Sequence, residues 1–285
     1  MRKRVPDHGA VGGPLVKGRS AERAFLPRLI GKIGAVLCAF AACLTSGPAR
    51  ADLPSTVERL KPSIVVVGSF RSTDSPRFRM RGTGFVVGSG NQAITNLHVL
   101  PQASENTADM TIVVQVRRPG GILSMRQASI ERVDRVHDLA LLRFEGAAAP
   151  SMAIGDSQAV REGQAVAFIG FPIGGALGFS PVTHRGLISS ITPAAMPTPS
   201  ASQLNEATIR SVRGGPFDIF QLDGTAYPGN SGGPLFDPDS GEVLGVVNMV
   251  FIKGSRESAL SQPSGISYAI PSRFVTELLE LGSRK

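Results

Sequence analysis

The chain has 285 residues, of which 42% are hydrophobic and 18% are charged, with 33 glycines and 21 prolines. These values exclude a disordered chain and are typical of a folded protein that is rich in turns. The formal net charge of +8 does not indicate a nucleic-acid partner, because residues 1–51 carry nine Lys and Arg but only Asp7 and Glu22. The other 234 residues carry 21 basic and 20 acidic side chains, so no basic surface is predicted.

The basic N-terminal region has the features of a secretory signal. Its positive charges precede an uncharged, mostly apolar run at 33–44, which is followed by the small-x-small pattern Ala49-Arg50-Ala51. Twelve residues are fewer than the about 20 that a helix needs to cross a bilayer. We therefore expect residues 1–51 to be a cleaved leader and the protein to be exported, periplasmic or secreted, without a stable membrane span. An uncleaved anchor and lipidation at Cys43 remain as alternatives.

From residue 52 onward, the sequence is dominated by short segments with the periodicity of strands. An amphipathic segment at 53–61 comes first and ends at Pro62. Strands are then predicted at 63–70, 82–88, 91–100, 110–116, 127–133 and 139–144. After a linker at 146–162, strands are predicted at 164–171, 183–191, 207–213, 217–222, 242–251 and 266–270.

The clearest helix of the sequence is at its C-terminal end. It is predicted from Pro271 in the first turn to Leu281, with leucines on one face and Gly282 as a stop. Many short strands with one terminal helix predict an all-β fold. The two strand-rich halves, about 58–145 and 163–270, suggest two barrels within a single domain at 52–285, closed by a helix at 271–282.

One loop contains the chemistry around which the remaining predictions are organised. It is Gly229-Asn230-Ser231-Gly232-Gly233-Pro234, where glycines let the backbone adopt unusual angles and approach a ligand closely. A serine in such a loop can act as a nucleophile if a base accepts its proton and N–H groups stabilise an oxyanion. An ordinary turn serine is the alternative.

The base and its partner are predicted from their positions at strand ends. His98 ends the apolar segment 91–100, and Asp138 immediately precedes the apolar strand 139–144, where a partly buried carboxylate needs a donor. The order His98, Asp138, Ser231 is that of the chymotrypsin type. A core histidine and a strand-initiating carboxylate remain the alternatives for the first two.

Five motifs together resemble the trypsin-like serine peptidases, and most closely the bacterial HtrA/Deg branch. They begin at Gly82 (GTGFVV), Ile94 (ITNLHV), Asp138 (DLALL), Asp223 (DGTAYPGNSGGPL) and Ile266 (ISYAIP), and the resemblance covers about residues 58–281. It implies two six-stranded Greek-key β-barrels with a C-terminal helix. It also implies a Ser231–His98–Asp138 triad that hydrolyses peptide bonds through an acyl-enzyme.

The resemblance assigns roles to further residues. The N–H groups of Gly229 and Ser231 would form the oxyanion hole, and Asn230 replaces an aspartate that pairs with a new N-terminus in trypsin. Thr225 would stand where trypsin has an acidic residue, opposite a wall lined by the residues Asn248, Met249 and Val250. A small or medium aliphatic P1 residue is therefore expected.

Further expectations concern partners, cofactors and the two other histidines of the mature chain. The substrate is expected to be exported or unfolded protein, an oligomer is possible, and no nucleic acid, cofactor or metal is expected. His137 is predicted to face solvent, and His184 to be structural or on the surface. The alternative to a peptidase is a chaperone-like or binding scaffold with little turnover. The family usually continues into PDZ domains, which are not expected in this chain.

Overall fold

The computed structural model describes residues 52–101, 109–118, 120–175, 178–194, 217–248 and 266–281. A first barrel follows helix α1 (Leu53–Leu60) and consists of β1 (Ile64–Phe70), β2 (Phe78–Val87), β3 (Gln92–Asn96), β4 (Thr111–Arg117), β5 (Leu123–Asp134) and β6 (Leu139–Phe144). A second barrel consists of β7 (Ala165–Gly170), β8 (Val182–Ala194), β9 (Phe217–Asp223), β10 (Pro234–Phe236), β11 (Val243–Asn248) and β12 (Ile266–Pro271), and helix α2 (Arg273–Glu280) follows it.

Each barrel is closed and antiparallel. The strand orders are β1-β2-β3-β6-β5-β4 and β10-β11-β12-β9-β8-β7, which are Greek-key arrangements because the third strand pairs with the sixth in one barrel and the ninth with the twelfth in the other. The predicted all-β fold with two six-stranded barrels and a C-terminal helix is therefore confirmed. Closure leaves no free sheet edge in either barrel.

The apolar residues of alternate strand positions form three buried clusters. One fills the first barrel, with Val86, Val114 and Leu142 among its members, and another fills the second barrel. The third cluster joins the barrels and α2, since it contains Phe85 of β2, Ile169 of β7 and Val275 of α2. This shared core fixes the strand ends of one barrel against those of the other.

Several predicted boundaries were wrong for local reasons. The segment 91–100 is not one strand: β3 ends at Asn96, and Leu97–Val99 is a 3-10 turn. Pro271 ends β12 and lies before α2, which begins at Arg273. Strand β10 was not predicted, because its three residues are too few to show a period. The predicted strand at 207–213 lies outside the described residues.

Neither of the two α-helices in the described ranges has the length and hydrophobicity required to cross a bilayer. The leader predicted at 1–51 lies outside the described residues.

Candidate active site

Asp138 lies in the tight connection between β5 and β6, at the end of the first barrel that faces the second. Its backbone is left-handed, with a φ of 54°, which is uncommon for residues other than glycine but tolerated by aspartate. Its side chain is 5% exposed, so the carboxylate has lost most of its contact with water. A buried carboxylate requires donors from the protein, and three are present.

Two of those donors belong to His98. The backbone N–H of His98 donates to Oδ1 of Asp138 at 2.9 Å, and the ring Nδ1 lies 2.5 Å from Oδ2. The 3-10 turn at Leu97–Val99 places the ring there, where its side chain remains 24% exposed. A carboxylate at Nδ1 holds the proton on that nitrogen, which leaves Nε2 to accept a proton.

The third donor comes from the other barrel. Asn248, the last residue of β11, is fully buried, and its Nδ2 donates to Oδ2 of Asp138 at 2.7 Å. The side chain of Asp138 thus joins the two barrels through charge-assisted hydrogen bonds, which are stronger than neutral ones. The sequence predicted Asn248 within a strand at 242–251 and in the wall of the specificity pocket, but it did not reveal this hydrogen bond to Asp138.

The loop that contains Ser231 is anchored to β2 by Thr83. The N–H of Thr83 donates to the carbonyl of Ser231 at 2.9 Å, and its Oγ1 donates to the carbonyl of Gly229 at 2.6 Å. The same hydroxyl accepts the N–H of Phe171 at 3.0 Å. Thr83 therefore ties together the serine loop and the end of β7. The only sequence signal for this role is a threonine between two glycines in an apolar strand.

Glycines allow the serine loop to come close to the histidine turn. A methyl group at Gly82 would lie 2.7 Å from a Val99 methyl carbon and 2.9 Å from the Ser231 carbonyl oxygen. A methyl group at Gly232, whose φ is 84°, would collide with the Thr83 carbonyl oxygen and lie 3.1 Å from the Asn96 nitrogen. Gly82 thus lies between the Val99 side chain and the Ser231 carbonyl, and Gly232 lies against the backbone of β2 and β3, with no room for a side chain at either position.

The backbone of Gly229 has a φ of 105°, which favours glycine. Within the described part of the chain, no acceptor takes the N–H of Gly229, whereas the N–H groups of Asn230, Gly232 and Gly233 bond to backbone carbonyls. An N–H left without a partner beside a candidate nucleophile is the kind of donor that an oxyanion hole requires.

His184 lies on β8 and contacts Asn230 of the serine loop, so of the two predicted alternatives its position is structural. Its ring stacks on Phe168 at a centroid distance of 4.7 Å, and its Nε2 lies 3.4 Å from Nδ2 of Asn230. Burial lowers the pKa of His184 below its usual value. The Oδ1 of Asn230 is buried and has no hydrogen-bond partner among the described residues.

The prediction that His137 faces solvent is wrong. Its side chain is only 15% exposed, and its ring stacks on Phe274 of α2 at a centroid distance of 3.6 Å. Its Nδ1 lies 2.5 Å from Oδ2 of Asp134. Burial raises the pKa of Asp134, but the hydrogen bonds and charge of His137 lower it by more, so the net shift is downward.

The structure therefore brings His98 and Asn248 together on the carboxylate of Asp138, and it ties the carbonyl of Ser231 to β2 through Thr83. Thr225 is partly exposed in the loop before the serine, and Met249 and Val250 lie outside the described residues. In the described ranges, no three side chains of His, Cys, Asp or Glu are arranged to hold a metal ion.

The comparisons with known proteins all give trypsin-like serine proteases. Residues 82–246 match the model of the trypsin-like peptidase domain. The mitochondrial serine protease HTRA2 of Drosophila pseudoobscura pseudoobscura is 32% identical over 204 residues, which are 72% of this chain and 39% of that protein. The probable periplasmic serine endoprotease DegP-like of Pseudomonas putida (strain W619) is 30% identical over 190 residues, 67% of this chain and 32% of its own length.

Solved structures agree in fold. Deg5 superposes with a TM-score of 0.57 at 22% identity, over 79% of this chain and 90% of the other. The HtrA-type protease AlgW with tripeptide gives a TM-score of 0.55 at 24% identity, over 80% and 62%. The chain spans only about a third to two fifths of the length of the curated relatives it matches.

Proposed function

Because the chain belongs to the trypsin-like peptidase family, in its HtrA branch, we propose that it is a serine endopeptidase. Ser231 Oγ attacks the scissile carbonyl, and His98 Nε2 accepts the hydroxyl proton and later donates it to the leaving amine. Asp138 keeps the imidazole in the required tautomer and stabilises the imidazolium. Water then attacks the acyl-enzyme formed on Ser231. His98 accepts a proton from the water and donates one to the Ser231 oxygen as it leaves.

The observation that carries this proposal is the binding of Asp138 to His98. One carboxylate accepts both the backbone N–H and the ring nitrogen of His98 at 2.9 and 2.5 Å, which fixes the position and the orientation of the ring together. The amide of Asn248 at 2.7 Å supplies a third donor. Three donors on one buried carboxylate hold Asp138 and His98 in a fixed relative position, which the proposed roles of both residues require.

The oxyanion hole would consist of the N–H groups of Gly229 and Ser231. Thr83 supports this assignment, because its hydrogen bonds to the carbonyls of both residues fix the direction of the loop. Donors fixed before the reaction stabilise the charge that develops in the transition state, and each is worth about 3 kcal/mol in comparable sites.

For the specificity pocket we propose a small or medium aliphatic P1 residue. Thr225 offers no charge to a basic P1 side chain. Asn248 would contribute only backbone to the wall, because its amide is already bound to Asp138. Met249 and Val250 remain predicted parts of that wall.

We propose that the substrates are exported or unfolded proteins and that the mature chain works in the periplasm or outside the cell. The periplasmic assignment of the DegP-like relative and the features of residues 1–51 support this location. A leader cleaved after Ala51 accounts for the basic charge of residues 1–51. An oligomer is compatible with the family.

Casein cleavage by wild type and by Ser231→Ala tests the proposed activity. We expect the variant to lose at least about 10³-fold in kcat/KM, because the nucleophile is removed. Ser189→Ala is the matched control, because Ser189 is exposed and its hydroxyl donates to the carbonyl of Gln221 on β9. This variant should cleave casein at the wild-type rate. Undiminished cleavage by Ser231→Ala would contradict the proposal, and absence of cleavage by folded wild type would favour a chaperone-like scaffold.

A further inference from the structure

A cavity of about 1130 Å³ lies on the first barrel, between the β4–β5 hairpin and residues 145–150. Its wall includes Arg117, Arg118 and Arg126 of the hairpin, but none of the residues proposed above for catalysis. Its volume is slightly above the range of about 300–1,000 Å³ that is typical of small-molecule sites. The cavity therefore has the size of a ligand site, and its function is not explained by peptide hydrolysis.

Within the described ranges, the three arginines have no carboxylate partner. Arg117 donates to the carbonyls of Gly121 and Phe179 at 2.8 and 2.7 Å, and Arg126 donates to the carbonyl of Ala147. The guanidinium of Arg118 contacts no acceptor in the described part of the chain. Backbone carbonyls satisfy donors but do not neutralise charge, so the positive charge of this group remains available.

Arg118 and Arg126 both line the cavity and belong to the same hairpin. Burial and then the charge of Arg118 lower the pKa of Arg126. Two guanidinium groups that repel each other are stabilised when an anion binds between them, and their planar geometry matches a carboxylate or a phosphate.

The rest of the wall limits the kind of anion. Glu58 and Glu145 also line the cavity, which leaves one net positive charge and disfavours a polyanion such as nucleic acid. The wall also contains apolar groups, among them the buried Val116, the partly buried Ala149 and Met125, which is 47% exposed. An apolar group bound there would be removed from water, which is favourable.

We propose that this cavity binds a small amphiphilic anion. Arg118 and Arg126 hold its carboxylate or phosphate group, and the side chains of Met125 and Ala149 pack against its apolar part. The head group could belong to a fatty acid or to a phosphate monoester, because both present oxygens in the same geometry.

Isothermal titration of the Ser231→Ala protein with octanoate, octyl phosphate and octanol tests this proposal independently of peptidase activity. We expect saturable binding of at least one anion with one site per chain, and at least tenfold weaker binding of octanol. Preference between the two anions identifies the head group. Equal affinity for octanol and the anions would overturn the proposal, since the arginines would then contribute nothing.

Two variants locate the site. Arg118→Glu reverses a charge that has no partner among the described residues, so the fold should be retained while anion binding weakens at least tenfold. Arg161→Ala removes an exposed charge from a turn of the second barrel and should bind like the parent. Unchanged binding by Arg118→Glu, or no saturable binding of either anion by the parent, would overturn the proposal.

Discussion

Asp138 combines a left-handed backbone with a carboxylate that is bound from both barrels. These features depend on each other, because the turn that directs the carboxylate towards His98 requires the unusual φ. The carbonyl of Asp138 is also held, by the N–H of Leu97 at 3.0 Å and the amide of Asn96 at 3.1 Å. The residue is thus fixed at every polar atom of its carboxylate and its carbonyl.

Protonation of His184 should make the protein less stable at acidic pH. Its lowered pKa means that the unfolded chain binds a proton at a higher pH than the folded chain does. The free energy of unfolding should therefore be insensitive to this group above the ordinary histidine pKa of about 6.5, and should decrease as the pH falls below it. Urea denaturation between pH 7.5 and about 5 measures this decrease.

His184→Phe is the informative variant, because phenylalanine keeps the stacking on Phe168 and removes the titrating group. We expect the decrease in stability towards pH 5 to be smaller in this variant than in wild type. Asp134 does not confuse the comparison, because its lowered pKa places its own loss of stabilisation below about 3.8. The same slope in both proteins would show that burial does not disfavour protonation of His184.

At the residue scale, the proposed catalytic residues were easier to derive from the sequence than the residues that hold them. His98, Asp138 and Ser231 could be proposed because each is polar where the surrounding pattern is apolar or rich in glycine. Thr83 and the amide of Asn248 could not, since their partners are more than 100 residues away in sequence. Contacts of that kind depend on tertiary structure and leave no local pattern.

The turn between β5 and β6 is supported by helix α2 through His137. The carboxylate of Asp134 accepts the N–H groups of Val136 and His137 at 2.9 and 3.1 Å and binds the His137 ring. The ring in turn stacks on Phe274, and both rings contact Phe217 edge to face. The C-terminal helix thus stabilises the turn that presents Asp138.

His137→Ala should separate the turn from the helix. We expect the free energy of unfolding to decrease by about 1–3 kcal/mol, from the lost stacking and the lost hydrogen bond. We also expect kcat to fall while KM changes little, because the position of Asp138 is affected but the substrate surface is not. Urea denaturation and steady-state peptide hydrolysis measure the two effects.

Arg135→Ala is the matched control, because Arg135 is exposed in the same turn. It should change neither stability nor kcat. If His137→Ala behaves like Arg135→Ala in both measurements, α2 does not support the turn.

The bounds of an element were predicted well where a regular apolar pattern extends over its whole length. They were predicted poorly where the apolar pattern continues beyond the end of the element. Strand β6 was predicted with its observed bounds, Leu139–Phe144, because five of its six residues are buried. Strand β3 was predicted four residues too long at its C-terminal end, because Leu97 and Val99 are apolar but belong to a 3-10 turn that packs on the apolar cluster of the first barrel. An apolar pattern alone does not distinguish these conformations.

For the molecule as a whole, the site depends on how the two barrels meet. The shared apolar cluster contains residues of β1, β2, β3 and β6 together with residues of β7, β10, β11, β12 and α2. Hydrogen bonds from Thr83 and Asn248 cross the same boundary. Neither barrel contains all the proposed catalytic groups, so the relative position of the barrels determines whether the serine can react.

Labelling with a fluorophosphonate, with the modified residue mapped by mass spectrometry, tests this account most directly, because the reaction needs the nucleophile, the base and the oxyanion hole together. We predict one adduct per folded chain, on Ser231, and at least about a hundredfold slower labelling of His98→Ala, which keeps the serine but lacks its base. An adduct at another residue, or equal labelling rates for wild type and His98→Ala, would contradict the account.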